Sequence, residues 1–378
     1  PNAKTNAIDY RSIISTILPS KNNNMTTEIA APGSHAPPSR ALVVGDGAFA
    51  MAMATSLARR GDISVRVLCH TTQVRDEINS GENKTYLPGY QVHSNIKAYT
   101  DITEACDPDI QLVLLVIPTQ FLRKFLVANL ASLPVGCPIV VCAKGIEIGT
   151  AETPYEMMIA ELPGKYHKHF AVLAGPSFAK EIMDGEPTNV VVASQNSTVA
   201  KEVAQYVSDG SALRAYVSDD VHGIEIAGAV KNVLAIASGA LDGLNFGNNA
   251  RAALVCRGLA ELTRLAVATG SNGRAMAGLA GVGDLMLTCS SSLSRNFTVG
   301  KKLASGMSLE EISGGTNAVA EGVATAKSVR MLAGKLDVEM PICEAVYQCL
   351  YEGKAPKVAL AELQARPLGA EGGLIAED

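Results

Sequence analysis

Residues 41–60, ALVVGDGAFAMAMATSLARR, constrain this chain more than any other stretch. Four apolar residues, Ala41 to Val44, run into Gly45, Asp46 and Gly47, and an Ala- and Met-rich segment follows as far as Arg59 and Arg60. That order predicts a strand, a tight turn and a helix. The turn has the spacing G-x-G-x-x-A. Gly45 permits the sharp turn, Gly47 lets the backbone approach a pyrophosphate, and small Ala50 lets the helix pack close to the strand. The helix would then aim its unpaired N–H groups and positive dipole end at the phosphates. A glycine-containing turn with no ligand is the plainer reading, but the flanking strand and helix favour the dinucleotide.

The chain after this turn repeats the pattern. ISVRVLC at 63–69 reads as a second strand, followed by His70, Thr71, Thr72 and Gln73 where an adenosine ribose should lie. A strongly NAD-selective fold often places an acidic residue there, and this segment has none. Arg75 is near enough to meet a 2′-phosphate or to face solvent, so the choice between NAD and NADP stays open. LVLLVIP at 112–118, PIVVCAKG at 138–145 and HFAVLAGPS at 169–177 lack polar relief, as strands covered on both faces should. TQFLRKFLVANL and ETPYEMMIAEL supply helical connections, and NVVVAS at 189–194 with a helix over 197–208 completes a doubly wound sheet. Ligands collect beyond the C-terminal ends of such strands, where Lys144, Gly175 and Ser177 fall. Each could instead mark only a strand end meeting water or a turn.

After Asp219 and Asp220, either of which could cap a helix, the apolar period changes to that of helices. Ile224, Gly228, Lys231 and Ala235 share one face of GIEIAGAVKNVLAIASGAL. A lysine on a small, apolar face either snorkels to water or is buried beside a carboxylate that orients it. Arg251, Arg257 and Arg264 recur at helical spacing and read as a solvated or intersubunit face. The densest polar cluster is AGLAGVGDLMLTCSSSLSRNFTVGKKL at 277–303. Asp284 could pair with Lys231, with Thr288 one turn along. Arg295 and Asn296, after Ser294, could hold a phosphate, because a guanidinium fork matches two phosphate oxygens. The plainer reading is a capped turn with a surface arginine. A further helix is expected over 316–336 with Glu321 near its start, and another over 340–353.

These segments imply four regions: a flexible arm over 1–40, a nucleotide-binding sheet domain over 41–217, a helical domain over 218–365 and a tail over 366–378. A chain of 378 residues suits two domains. A net charge of −5 gives no reason to expect nucleic acid or an anionic membrane, and no apolar stretch reaches spanning length uninterrupted. Eight scattered cysteines without a C-x-x-C pair read as buried thiols in a reducing compartment, and no histidine has metal-ligand spacing.

In order and spacing, GDGAFA, IPTQFLR, CAKGIE, LAGPSFAKE, IEIAGAVKNVLAIASG, GLAGVGDLMLTC, SRNFTVGKKL and AVAEGVAT resemble the NAD(P)-dependent glycerol-3-phosphate dehydrogenases across about residues 40–365. The resemblance implies a Rossmann-like domain followed by an all-helical one. It also implies interconversion of dihydroxyacetone phosphate and sn-glycerol 3-phosphate with NAD, or NADP, as cofactor. It makes Lys231 the general acid/base, accompanied by Asp284, Thr288 and Lys144. Substrate would lie against Lys144, Gly175, Ser177, Lys231, Asp284, Ser294, Arg295 and Asn296. Cofactor would lie against Gly45, Gly47, Ala48, Phe49, Lys144, Ala179, Arg295 and Glu321. Neither a metal nor an integral membrane contact is expected; a homodimer and a cytoplasmic location are, with an organellar one left open by the arm. Asp46 departs from the Ser, Asn or Ala common at its position, and a carboxylate there would repel the pyrophosphate unless it points away. Two other classes fit the plan: a hydroxy- or sugar-acid dehydrogenase, and a non-catalytic sensor of reduced cofactor. Retention of Lys144, Lys231, Asp284 and Arg295 together counts against the sensor.

Overall fold

The computed structural model describes residues 40–208, 212–314 and 320–367. The expected arm therefore lies outside the described residues except for Arg40, which opens the first strand and so belongs to the sheet. Residues 316–319 of the expected helix and 368–378 of the expected tail also lie outside them.

Among the described residues, eight strands form one sheet: β1 (Arg40–Val44), β2 (Ser64–Leu68), β3 (Ile96–Tyr99), β4 (Leu112–Leu115), β5 (Ile139–Val141), β6 (Phe170–Ala174), β7 (Thr188–Ala193) and β8 (Leu213–Ser218). Their order is β3-β2-β1-β4-β5-β6-β7-β8. The first six in chain order run parallel; β7 is antiparallel to β6, and β8 runs parallel to β7. The winding reverses between β1 and β4, where Val43 lies beside Leu114 on one side and Val67 on the other. The apolar runs have a direct cause. Val43 and Leu114 enter the core on one face of the sheet, while Leu42 and Val113 enter the core on the other. Both faces are covered, so alternation disappears.

The helical half is built round one helix, Val221–Gly243, capped by Asp220, whose carboxylate accepts from the Gly223 N–H at 2.9 Å. It is long and apolar enough to cross a membrane, yet 89% of its most apolar window is buried inside the protein. It is a core helix. Helices Asn248–Ala268, Asp284–Ser290, Arg295–Ala304 and Glu321–Leu336 pack around it. The crossing with Arg295–Ala304 is backbone on backbone: a Cβ at Gly239 would lie 1.9 Å from the Phe297 oxygen, and one at Gly300 would lie 1.9 Å from the Ile236 oxygen. Glu225 on the same helix reaches the sheet half, where one oxygen accepts from the Tyr155 N–H at 2.8 Å. Burial pushes its carboxyl up to about 8. All eight cysteines are free thiols, most of them buried.

Candidate active site

The turn after β1 has the geometry its glycines predict. Gly45 adopts φ +122°, and a Cβ there would lie 2.4 Å from the Val116 oxygen, so no other residue fits. Gly47 is the N-cap of helix Ala48–Arg59, and among the described residues no side chain caps that end. A Cβ at Gly47 would meet nothing within 4 Å. Free amides at a helix start, open space beside them and a reversal in strand order are what a dinucleotide pyrophosphate needs. The residues present fit the cofactor. Asp46 does not oppose it in the way its position suggests, since its carboxylate turns to accept from the His70 N–H at 2.9 Å.

Beyond the ends of β5 and β6, Lys144 and Gly175 meet. The Lys144 ammonium donates to the Gly175 oxygen and to Asp284 Oδ2, both at 3.0 Å, and lies 5.8 Å from the centre of the Phe49 ring. Gly175 adopts φ +125°, and its oxygen also accepts from the Ser177 hydroxyl at 2.9 Å. Gly228, on the central helix, faces the stem of Lys144; a Cβ there would lie 3.5 Å from Lys144 Cγ. The loop that follows Lys144 is held from helix Thr119–Asn129. Gln120 bonds the Ile146 oxygen at 2.9 Å and the Ile148 N–H at 3.0 Å, and Arg123 grips Glu147, Glu152 and Glu161.

The second lysine comes from the helical half. Lys231 donates to Asp284 Oδ1 at 2.7 Å and to the Thr288 hydroxyl at 2.9 Å, while Thr288 donates to the Asp284 backbone oxygen at 2.6 Å. A turn of π-helix, Leu279–Gly283, leads into Asp284 and is sealed against Met276, whose oxygen would lie 2.3 Å from a Cβ at Gly281. One carboxylate thus bridges two ammonium groups. The Asp284 and Lys231 side chains are only 2% and 8% exposed, so their interaction is poorly screened. Burial lowers the Lys231 pKa to about 8, with Asp284 pulling it up and Lys144 pushing it further down. Burial raises Asp284, but the two lysines more than reverse this and hold it below the usual carboxylate range. The cluster can therefore exchange a proton near neutral pH and carries a net positive charge.

Asn232 and Thr119 enter the site without having been singled out in the sequence. Asn232 Nδ2 donates to the Lys144 backbone oxygen at 3.1 Å, and its Oδ1 accepts from Asn296 Nδ2 at 2.9 Å. Asn296 Oδ1 in turn accepts from the Gly322 N–H at 3.0 Å. Asn296 is thus part of an amide chain that ties the helical half to Lys144. The only signal for Asn232 was its place beside Lys231. Glu321 accepts from the Thr119 N–H at 3.1 Å and hydroxyl at 3.2 Å, capping a helix preceded by Pro118. Ser294 is buried and caps helix Arg295–Ala304 by accepting from the Phe297 N–H at 3.2 Å. Arg295, the next residue, is exposed and has no ion-pair partner among the described residues. Ala48, Phe49 and Ala179 are partly buried together against the sheet core. Among the described residues, no three His, Cys, Asp or Glu side chains are grouped to hold a metal.

A family profile for the N-terminus of NAD-dependent glycerol-3-phosphate dehydrogenase matches residues 41–200, and one for its C-terminus matches 220–361. The chain is 46% identical over 328 residues to a glycerol-3-phosphate dehydrogenase [NAD(P)+] of Anaeromyxobacter sp., covering 86% of this chain and 98% of that one. It is 45% identical over 341 residues to a glycosomal glycerol-3-phosphate dehydrogenase [NAD(+)] of Trypanosoma brucei rhodesiense, covering 88% and 95%. Its structure is similar to that of a glycerol-3-phosphate dehydrogenase from Coxiella burnetii, with TM-score 0.81, 34% identity and coverage of 87% and 99%.

Proposed function

Because the chain belongs to the NAD-dependent glycerol-3-phosphate dehydrogenase family, we propose that it reversibly transfers hydride between NAD(P)H and dihydroxyacetone phosphate, giving sn-glycerol 3-phosphate, with Lys231 as general acid/base. The observation that carries the Lys231 role is the buried Lys144–Asp284–Lys231 bridge. The nicotinamide, when bound, supplies the hydride to the ketone carbon or takes it from the alcohol. The protein supplies the proton and the geometry.

In reduction, the Lys231 ammonium gives a proton to the oxygen as the ketone becomes a secondary alcohol. In oxidation its neutral amine takes that proton back. A lysine with an ordinary pKa would seldom be neutral, so the lowered value near 8 suits both directions. Asp284 aims Lys231 with one oxygen and Lys144 with the other. Lys144, less buried than Lys231, meets the reacting oxygen or the substrate phosphate as a second positive charge. Asn232 and Asn296 fix the backbone from which Lys144 projects. Burial around Lys231 excludes water that would otherwise compete for the proton.

Arg295 is the best-suited phosphate ligand: it is exposed, at a helix start and without an ion-pair partner among the described residues. Arg295→Ala should raise KM for dihydroxyacetone phosphate by roughly ten- to hundredfold, the worth of a charge-assisted hydrogen bond, with a smaller change in kcat. Steady-state kinetics on folded protein decide it. An unchanged KM removes Arg295 from the phosphate site.

A further inference from the structure

Sheets of this kind discriminate between dinucleotides at the C-terminal end of the second strand, where an acidic side chain accepts from the adenosine 2′-hydroxyl. Here β2 ends at Leu68, and the residues Cys69 to Gln73 contain no carboxylate. A carboxylate reaches that place from another segment. Asp46, between the two turn glycines, is 9% exposed, and its Oδ2 accepts from the His70 N–H at 2.9 Å. Its backbone oxygen accepts from Asn83 Nδ2 at 2.8 Å, so the residue is pinned at both ends. Oδ1 has no hydrogen-bond partner among the described residues. The charge is close to the strand end: the Cys69 thiol is pushed up to about 12 by burial first and by Asp46 next, against a smaller lowering by Arg75.

We propose that Asp46 sets cofactor choice, accepting from the adenosine 2′-hydroxyl through Oδ1 and repelling a 2′-phosphate, so that the chain prefers NAD(H). This rests on the dehydrogenase reading above. A 2′-phosphate would bring about two negative charges to a carboxylate held in a poorly hydrated corner. The basic residue near the same strand end is bonded to its neighbours instead. Arg75 bonds Asp76 through Nε at 2.8 Å and Nη2 at 2.7 Å, and its Nη1 lies 3.4 Å from the Thr100 hydroxyl. The turn position that looked unfavourable to a dinucleotide thereby supplies the acidic group that β2 itself lacks.

The test is equilibrium titration of the full chain with NADH and with NADPH, without substrate, for wild type, Asp46→Asn and Arg75→Ala. Wild type should bind NADH roughly ten- to hundredfold more tightly than NADPH. Asp46→Asn keeps the shape and an acceptor for the His70 N–H, and should bring the ratio to within a few-fold of one, chiefly by tighter NADPH binding. Arg75→Ala should leave the ratio where it was. Asp46→Ser, which also retains a short acceptor, gives a second reading should the asparagine variant fold poorly. A wild type that favours NADPH, or a ratio unchanged in folded Asp46 variants that bind both dinucleotides, overturns the assignment. Failure of wild type to bind either dinucleotide overturns the dehydrogenase reading, and this assignment with it.

Discussion

Lys231→Met will lower kcat in both directions by about a hundred- to ten-thousandfold, the usual worth of a positioned acid/base, and will leave NADH affinity unchanged. Methionine keeps the length and much of the packing of the lysine stem but can neither give nor take a proton. Asp284 stays paired to Lys144 at 3.0 Å, so the substitution does not strand a lone buried carboxylate. The Lys231 side chain touches Asp284 and Thr288 rather than the glycine turn, which is why cofactor binding is spared. The wild type offers an independent reading through pH. With the Lys231 pKa lowered to about 8, kcat/KM for reduction needs the ammonium and falls as pH rises past that value. For oxidation it needs the amine and rises across the same range. The variant should lose both limbs. Turnover within about threefold of wild type would remove Lys231 from the chemistry.

Gly300→Val is the largest structural effect expected, with a loss of about 3 kcal/mol or more. The clash at 1.9 Å is with the Ile236 backbone oxygen, and the Ala240 backbone nitrogen lies 2.8 Å away, so no flexible side chain can yield. Relief requires the two helices to part, and one of them carries Lys231 while the other begins at Arg295. The variant should melt roughly 6–12 °C lower, on the scale of a 150–250-residue domain, or fail to accumulate. Gly334→Ala provides the contrast. It lies within helix Glu321–Leu336, a Cβ there meets nothing within 4 Å, and the change should be neutral or stabilise by up to about 1 kcal/mol. A Gly300→Val protein that melts with the parent would show that the crossing is not the rigid joint described above.

The parts of the fold that could be read from sequence are those where one residue type answers one local demand. Gly45 and Gly47 between Val44 and Ala48 could hardly be anything but a strand–helix turn. The apolar runs into Lys144 and Gly175 mark where covered strands emerge at the ligand-binding end. Lys231 stood out because a charged residue on the face of Ile224 and Gly228 has to be explained. What escaped depends on contacts between distant segments. The run NVVVAS has the same pattern in either direction, so the antiparallel pairing of β7 with β6 left no trace in it. β3, Ile96–Tyr99, is a short edge strand with a lysine inside it, too brief for its alternation to register. The π-turn before Asp284 shifts the hydrogen-bond step without changing composition. Asp284 was readable as a partner for Lys231, whereas its equal share in Lys144, 140 residues away, required the fold. Asp46 illustrates the same limit. Its place in the turn suggested a clash with phosphate, and only the bond to the His70 N–H reveals where the carboxylate goes.

The most direct measurement is oxidation of NADH by the purified full chain, with dihydroxyacetone phosphate, unphosphorylated dihydroxyacetone and a 2-keto acid offered separately. The buried lysine–aspartate–lysine bridge and Arg295, without an ion-pair partner among the described residues, lead to one expected result. Turnover will be rapid with the phosphorylated ketone, weak with dihydroxyacetone and absent with the acid. A chain that binds NADH but turns over the 2-keto acid, and leaves dihydroxyacetone phosphate untouched, would contradict the account.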